Sequence, residues 1–356
     1  MKKVRYALVG FGGIAENRVA KEGFACDASR FKPLKAARLV GATDMNPARR
    51  QAAEALGLKW YASLGDILAD DEIDAVYIAT NNASHAAIAC AALKAGKHVI
   101  VEKPAATEIA DARRMEALAA RRGLSVAVNH MMVNNAWNVA AASAVQSGRL
   151  GAVNDCCFHM EFAFGYDPKE ATTWRCSKVE EMGGPIGDVA SHCFYVAEFV
   201  LGKRIAKVAA VYYPKIMDIK SEDGAYIKFF FEDGTQGSVR AAFSERRGGT
   251  AGTLTNLGYE IYGESAVLRG YGTMFQLSGY DDEPIRIRLE LDDGKTVESV
   301  LPSKIRNIYQ AVVERHAMSV ADGGRLSAGE AVHNLALCAA AHKSARAGGK
   351  LVKVLW

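Results

Sequence analysis

The stretch that most limits what this chain can become lies at residues 4–15. Val4 to Val9 is an apolar run, broken only by Arg5, and Gly10-Phe11-Gly12-Gly13-Ile14-Ala15 follows it directly. Such a run predicts a strand buried on both faces, as in a parallel sheet covered by helices. The G-x-G-x-x-A pattern at its end has a physical reading at each small residue. The first glycine permits a tight turn, the second lets backbone approach a pyrophosphate, and Ala15 lets the next helix pack closely on the strand. The helix opening there presents free N–H groups to an anion. Glycine-rich turns are common, and what gives this one meaning is its place at the very start of a βαβ unit.

The rest of the first third repeats that unit. Short apolar runs at 39–43, 75–79, 98–101 and 125–128 alternate with helical patterns at 47–56, 85–94 and 108–122. Right-handed crossovers between such runs give a doubly wound α/β domain. Asp44 closes the second strand, where an acid would hydrogen-bond the adenosine ribose. Its separation from Gly10 is longer than usual because Lys21 to Pro33 reads as a loop insertion. Asp44 would repel a 2′-phosphate, which favours NAD and leaves NADP possible. Arg49 and Arg50 read as exposed residues of a helix begun at Pro47, with Asn46 as its cap.

The pattern changes after about residue 150. A long strand is expected at 156–164. Segments 225–231 and 236–243 flank Asp233-Gly234, and 285–291 and 296–301 flank Asp293-Gly294, as two hairpins. Late helices at 304–320 and 328–347 precede an apolar end at 351–355. The expected organisation is therefore a Rossmann-type domain over 1–130 and an α+β domain with a large, mainly antiparallel open sheet over 131–356, its last helix packing back on the first domain.

Two further clusters carry chemistry. Glu102-Lys103-Pro104 follows the fourth apolar run, at the carboxyl end of a strand, where ligands bind in open α/β sheets. Lys103 can donate to a reacting oxygen and stabilise alkoxide charge; Pro104 invites a cis peptide bond. Downstream, Gly183-Gly184-Pro185-Ile186-Gly187-Asp188-Val189-Ala190-Ser191-His192 combines glycines suited to close approach with Asp188 and His192 at helical spacing on one face. A histidine is the natural proton acceptor for alcohol oxidation near neutral pH. The bland readings are a surface lysine, a helix-capping aspartate and a core histidine. Arg246-Arg247-Gly248-Gly249 could hold an anionic substituent of a substrate or be an exposed basic turn.

Other classes fit less well. The net charge of +4 over 356 residues shows no basic run, which argues against nucleic acid. No apolar stretch is long enough to cross a membrane, and the N-terminus lacks a signal-peptide pattern. Seven cysteines form no Cys-x-x-Cys pair and read as buried hydrophobes in a reducing compartment, the cytoplasm by default. The histidines lack zinc spacing, so no metal is expected.

Taken together, these motifs resemble the Gfo/Idh/MocA family. The resemblance rests on Gly10-x-Gly12-x-x-Ala15, Thr80 with His85, Ala95-Gly96-Lys97-His98-Val99 leading to Glu102-Lys103-Pro104, Trp174-Arg175, Gly183-Gly184, Asp188-x-x-x-His192, and Ser344-Ala345 with Gly348. It implies a Rossmann domain, an open sheet used for substrate and oligomer contacts, and NAD(P) in the crevice between domains. By the same resemblance Lys103, Asp188 and His192 are catalytic. Gly10, Phe11, Gly12, Gly13, Ile14, Asp44, Thr80, Asn81, Asn82, His85, Glu102, Lys103, Trp174 and Arg175 contact cofactor. Lys103, Asn129, His130, Arg175, Asp188 and His192 contact substrate. Departures are Asn81 where proline is frequent and Tyr195 where an acid often follows the histidine. Asn129-His130 and Asn134-Asn135 are locally similar to the anhydrofructose-reductase branch.

The resulting expectation is an NAD(P)-dependent oxidoreductase acting on a ring hydroxyl or ketone of a sugar or cyclitol, as a homodimer or homotetramer. One alternative is an NAD-dependent glycoside hydrolase working by transient oxidation, elimination, hydration and re-reduction. The other is a non-catalytic NAD-sensing regulator.

Overall fold

The structure, a computed structural model, describes residues 2–244, 257–272 and 287–356. Two compact units emerge: Met1–Met131 with Arg306–Val332, and Met132–Ile305 with His333–Trp356. The chain thus passes between the units three times, after Met131, after Ile305 and after Val332.

The first unit is built on six parallel strands, β1 (Val4–Val9), β2 (Ala37–Thr43), β3 (Lys59–Trp60), β4 (Ala75–Ile78), β5 (His98–Val101) and β6 (Val126–Val128), in the order β3-β2-β1-β4-β5-β6. Val9 stands opposite Thr43 on one side and Ile78 on the other. The strand order reverses at β1, so the carboxyl ends of β1 and β4 form the switch point where doubly wound sheets bind ligands. Apolar side chains on both sheet faces explain the uninterrupted runs: Val9, Ile78, Val99, Val101 and Met115 share one buried cluster. β3 is too short to show any periodicity.

Residues 306–332 join this unit through specific contacts. The Tyr6 hydroxyl lies 2.7 Å from His316 Nδ1, and Asn307 Nδ2 donates to the buried Glu22 carboxylate at 3.1 Å. The helix after the glycine turn, Ala15–Gly23, has the wide π geometry. Lys21 Nζ reaches Glu16 Oε1, five residues back, at 2.7 Å, the spacing a π turn aligns. The insertion expected from Lys21 therefore starts later, since residues 21–23 are helical.

The second unit contains β7 (Val153–Glu161), β8 (Ile205–Tyr212), β9 (Gly224–Phe231), β10 (Gln236–Ala242), β11 (Leu257–Gly263), β12 (Val267–Gly272), β13 (Arg288–Asp292), β14 (Val297–Ser299) and β15 (Val352–Lys353). They form one sheet, β14-β13-β12-β11-β7-β10-β9-β8-β15. β7 and β10 run parallel; the other described pairs are antiparallel. Both expected hairpins are present, although Ile285 and Arg286 lie outside the described residues. Helices Ala136–Gln146 and Ser191–Leu201 cover one sheet face. The other face carries exposed Val211 and Tyr226. Among the described residues no helix is long and apolar enough to cross a membrane.

Candidate functional site

Side-chain chemistry collects at two places, one in each unit. In the first unit the glycine turn separates two kinds of glycine. Gly10 has φ +87°, and a Cβ there would lie 2.7 Å from the Ala79 carbonyl oxygen and 2.9 Å from Thr80 Cγ2. The fold itself demands this glycine, because the ends of β1 and β4 are pinched together. Gly12 and Gly13 have no such neighbour: nothing lies within 4 Å of a Cβ at either. Open space above bare backbone at a helix N-terminus is what a dinucleotide pyrophosphate needs.

Asp44 is tied to this turn. Its carboxylate accepts from Phe11 N at 2.6 Å and from Asn46 N at 2.7 Å. The Phe11 ring is fully buried, so Phe11 offers no side chain to a ligand. Arg49 is not the exposed helix residue expected from sequence. Its Nε donates to the Phe11 carbonyl at 2.7 Å, its guanidinium lies 5.7 Å from the Phe11 ring centroid, and it pairs with Glu16. Arg50 is the surface residue and pairs with Glu54. Half-exposed Ile14 and Gly13 line a cleft of about 470 Å³ whose far wall is Asp27, Arg30 and Phe31 of the insertion.

The ends of β4, β5 and β6 form a braced platform. The Thr80 and Ser84 hydroxyls are 2.7 Å apart, and Ser84 Oγ donates to Asn81 Oδ1 at 2.5 Å; Asn82 is buried and opens the short helix Asn82–Ser84. His85 is fully buried, with Nδ1 2.7 Å from the Pro104 carbonyl. Burial lowers its pKa, so a neutral ring donates there. His85 therefore braces the loop of Lys103. The Lys103–Pro104 peptide is cis.

Glu102 and Asn129 also work from below. The Glu102 carboxylate accepts from Tyr77 Oη and Asn129 Nδ2, both at 2.8 Å. Burial pushes Glu102 up from the usual carboxylate range and Tyr77 well above a normal phenol. Asn129 is fully buried and supports the Glu102 carboxylate. Beside it, burial and the nearby Lys103 ammonium lower His130 to about 3. His130 is therefore neutral near pH 7.

In the second unit the glycine-rich decapeptide packs under the Trp174–Ser177 turn. A Cβ on Gly183 would meet the carbonyl oxygens of Trp174, Lys178 and Arg175 at 2.5, 2.7 and 3.0 Å. A Cβ on Gly187 would lie 2.1 Å from the Met182 oxygen. These glycines seat Trp174 and Arg175 against the helix that starts at Ile186. That helix opens with a π turn, Ile186–Ala190, and continues as Ser191–Leu201. The Glu222 carboxylate accepts from Ile186 N at 2.9 Å, and burial pushes its pKa up.

Asp188 and His192 are both buried on this helix. Asp188 Oδ2 accepts from Arg175 Nε at 3.1 Å, and the Arg175 guanidinium stacks on Trp174 with 4.8 Å to the ring centroid. His192 Nδ1 lies 2.5 Å from the Tyr195 hydroxyl. Sequence reading did not find Tyr77 or Glu222, since no motif spacing links them to the residues they hold. Arg246-Arg247-Gly248-Gly249 lies outside the described residues. Among the described residues, no three His, Cys, Asp or Glu side chains come together to hold a metal.

Comparison with known proteins agrees with this architecture. Residues 4–130 match the oxidoreductase family profile described as an NAD-binding Rossmann fold, and residues 139–269 match the Gfo/Idh/MocA C-terminal domain. The chain is 30% identical over 295 residues to 1,5-anhydro-D-fructose reductase of Ensifer adhaerens, covering 82% of this chain and 83% of that protein. It is 30% identical over 254 residues to dTDP-3,4-didehydro-2,6-dideoxy-alpha-D-glucose 3-reductase of Streptomyces violaceoruber, covering 71% and 69%. In fold it is similar to levoglucosan dehydrogenase, solved with NADH and levoglucosan, at a TM-score of 0.82, 21% identity and 100% coverage of both chains. The chain belongs to the Gfo/Idh/MocA family of NAD-binding oxidoreductases.

Proposed function

We propose that this protein moves a hydride between NAD and a ring carbon bearing a hydroxyl or ketone in a sugar or cyclitol, with Lys103, Asp188 and His192 as its working groups. The observation that carries this reading is the contrast at the glycine turn. Gly10, Gly183 and Gly187 are required by the packing of the protein itself, whereas Gly12 and Gly13 face open space beside a fixed carboxylate. Two relatives at 30% identity over more than two thirds of the chain are reductases of a sugar and a nucleotide sugar, which favours net redox chemistry over redox-neutral hydrolysis.

Gly12 and Gly13 would hold the cofactor pyrophosphate, and Asp44 the adenosine ribose hydroxyls. NAD supplies the hydride acceptor when bound. His192 takes the proton of the substrate hydroxyl as the carbonyl forms, and returns it in the reductive direction. Lys103 donates a hydrogen bond to the same oxygen and stabilises its developing negative charge. Asp188 holds Arg175 by an ion pair, and Arg175 presents its remaining N–H groups to substrate oxygens. The Asp44 carboxylate repels a 2′-phosphate, and Arg49 is engaged by Glu16, so NAD is preferred over NADP.

The open sheet face, with Val211 and Tyr226 exposed, supports assembly into a homodimer or homotetramer, which light scattering would measure. Seven cysteines, all free thiols in this structure, support a reducing compartment such as the cytoplasm. The activity itself is tested with a panel of sugars, anhydrosugars and cyclitols, including 1,5-anhydro-D-fructose with NADH and levoglucosan with NAD. The expected result is stoichiometric change of the cofactor with at least one of them. Sugar cleavage with no net cofactor change, and with solvent deuterium entering the product, would replace this reading by the hydrolytic one.

A further inference from the structure

The acid that often follows the histidine in this family is a tyrosine here, and the structure shows what the phenol does. Tyr195 stands one turn beyond His192 on the helix Ser191–Leu201, its hydroxyl 2.5 Å from His192 Nδ1. The two rings meet edge to face, with centroids 5.4 Å apart and 72° between planes. Both side chains are buried.

Neutral imidazole carries one proton, and the hydrogen bond made by one nitrogen decides the state of the other. A phenol can donate or accept, so the contact alone is compatible with both tautomers. The reaction is not. A histidine that takes a proton on Nε2 must start with that nitrogen bare, which requires its hydrogen on Nδ1.

We infer that Tyr195 is a positioning residue whose oxygen accepts the Nδ1–H of His192, leaving Nε2 as the nitrogen that exchanges the substrate proton. In oxidation, the substrate O–H bond breaks and an Nε2–H bond forms. The resulting imidazolium keeps its Nδ1–H on Tyr195 Oη. The carbon's hydride leaves with its electron pair to NAD, and the imidazolium later releases its new proton to water. A phenol orients the ring without the added charge that a carboxylate would place beside the imidazolium.

This inference rests on the hydride-transfer reading, and its test separates the two. Enzyme labelled with 15N-histidine is examined by long-range proton–nitrogen correlation without substrate, with His192 assigned by His192→Gln. The wild type should show a protonated Nδ1 and a bare Nε2, and Tyr195→Phe should show both nitrogens moving toward a tautomer mixture. With a substrate found in the panel, Tyr195→Phe should lower kcat about ten- to a hundredfold, the size of effect seen when a partner that orients a metal-ligating histidine is removed. The KM for NAD should stay within about threefold, since the phenol touches the histidine and not the cofactor turn. NAD affinity and melting temperature near wild type would show that the variant is folded. Unchanged His192 nitrogen shifts in Tyr195→Phe, or an unchanged kcat, would overturn the role of Tyr195 and leave the oxidoreductase reading intact. A wild type inactive on the whole panel would count against that reading, while the nitrogen spectra would still decide the tautomer.

Discussion

Gly12→Ala should separate folding from cofactor binding in this protein. No atom lies within 4 Å of a Cβ at Gly12, and its φ is outside the left-handed region. The substitution therefore costs no packing, and the reduced freedom of the unfolded chain should stabilise the fold by about 0.4–1 kcal/mol. The new methyl nevertheless occupies the space proposed for the pyrophosphate. A loss of about 1.4–2.8 kcal/mol in NAD affinity corresponds to a ten- to hundredfold rise in Kd. Linkage turns this into a melting experiment. NAD at about a hundred times the wild-type Kd stabilises the wild type by about 2.7 kcal/mol, and a hundredfold weaker variant by only about 0.4 kcal/mol. Scanning fluorimetry with and without NAD reads both numbers. Gly10→Ala is the contrast. Its φ of +87° and its 2.7 Å approach to Ala79 O should cost about 2–5 kcal/mol before any ligand is added. Gly12→Ala with full NAD stabilisation, or as unstable as Gly10→Ala, would refute the reasoning.

Gly183→Ala pushes a methyl against three backbone carbonyls; it should destabilise the fold by about 1–3 kcal/mol and lower kcat by displacing Arg175, as measured by melting and turnover. Asp44→Ser removes the charge that opposes a 2′-phosphate and should raise the kcat/KM ratio of NADP to NAD about tenfold or more, one decade being about 1.4 kcal/mol. The folded-state pKa values of His130 and His316 are lowered to about 3 and that of His342 to about 4, burial being the main cause at each. Their neutral forms contribute stability in full above the unfolded value of about 6.5, and that contribution falls as pH drops toward the folded values. Each should cost about 2 kcal/mol at pH 5, so chemical-denaturation midpoints should fall steeply between pH 6.5 and 5. Glu102 and Glu222, raised by burial, act in the opposite sense as pH falls toward 4.5. His316→Asn should flatten that slope.

What could be read from the sequence was local. Val4 to Val9, the glycine turn and the βα alternation are set by neighbours a few residues apart, and the expected strands followed with ends shifted by at most three residues, the two-residue β3 alone being missed in the parallel sheet. The Asp-Gly turns fixed both hairpins for the same reason. What could not be read depends on contacts far along the chain. Arg49 looked like a surface residue until β2 delivered it to the carbonyl of Phe11. Asn129 and His85 lay in the right segments but are buried, Asn129 on the Glu102 carboxylate and His85 against the Pro104 carbonyl. Glu222 caps a helix that begins 36 residues earlier, a distance no spacing rule encodes. The π turns at 15–23 and 186–190 left no periodic trace, since five to nine residues are too few to distinguish that pitch from an α-helix.

The most direct test of hydride transfer with His192 as the proton carrier uses NADH bearing deuterium at the transferable position and a reducible ketose such as 1,5-anhydro-D-fructose. Direct transfer predicts deuterium on the newly formed carbinol carbon of the product, and a rate at least about a hundredfold lower in His192→Asn. Deuterium lost to solvent, or a His192→Asn enzyme that reduces the ketone at the wild-type rate, would contradict it.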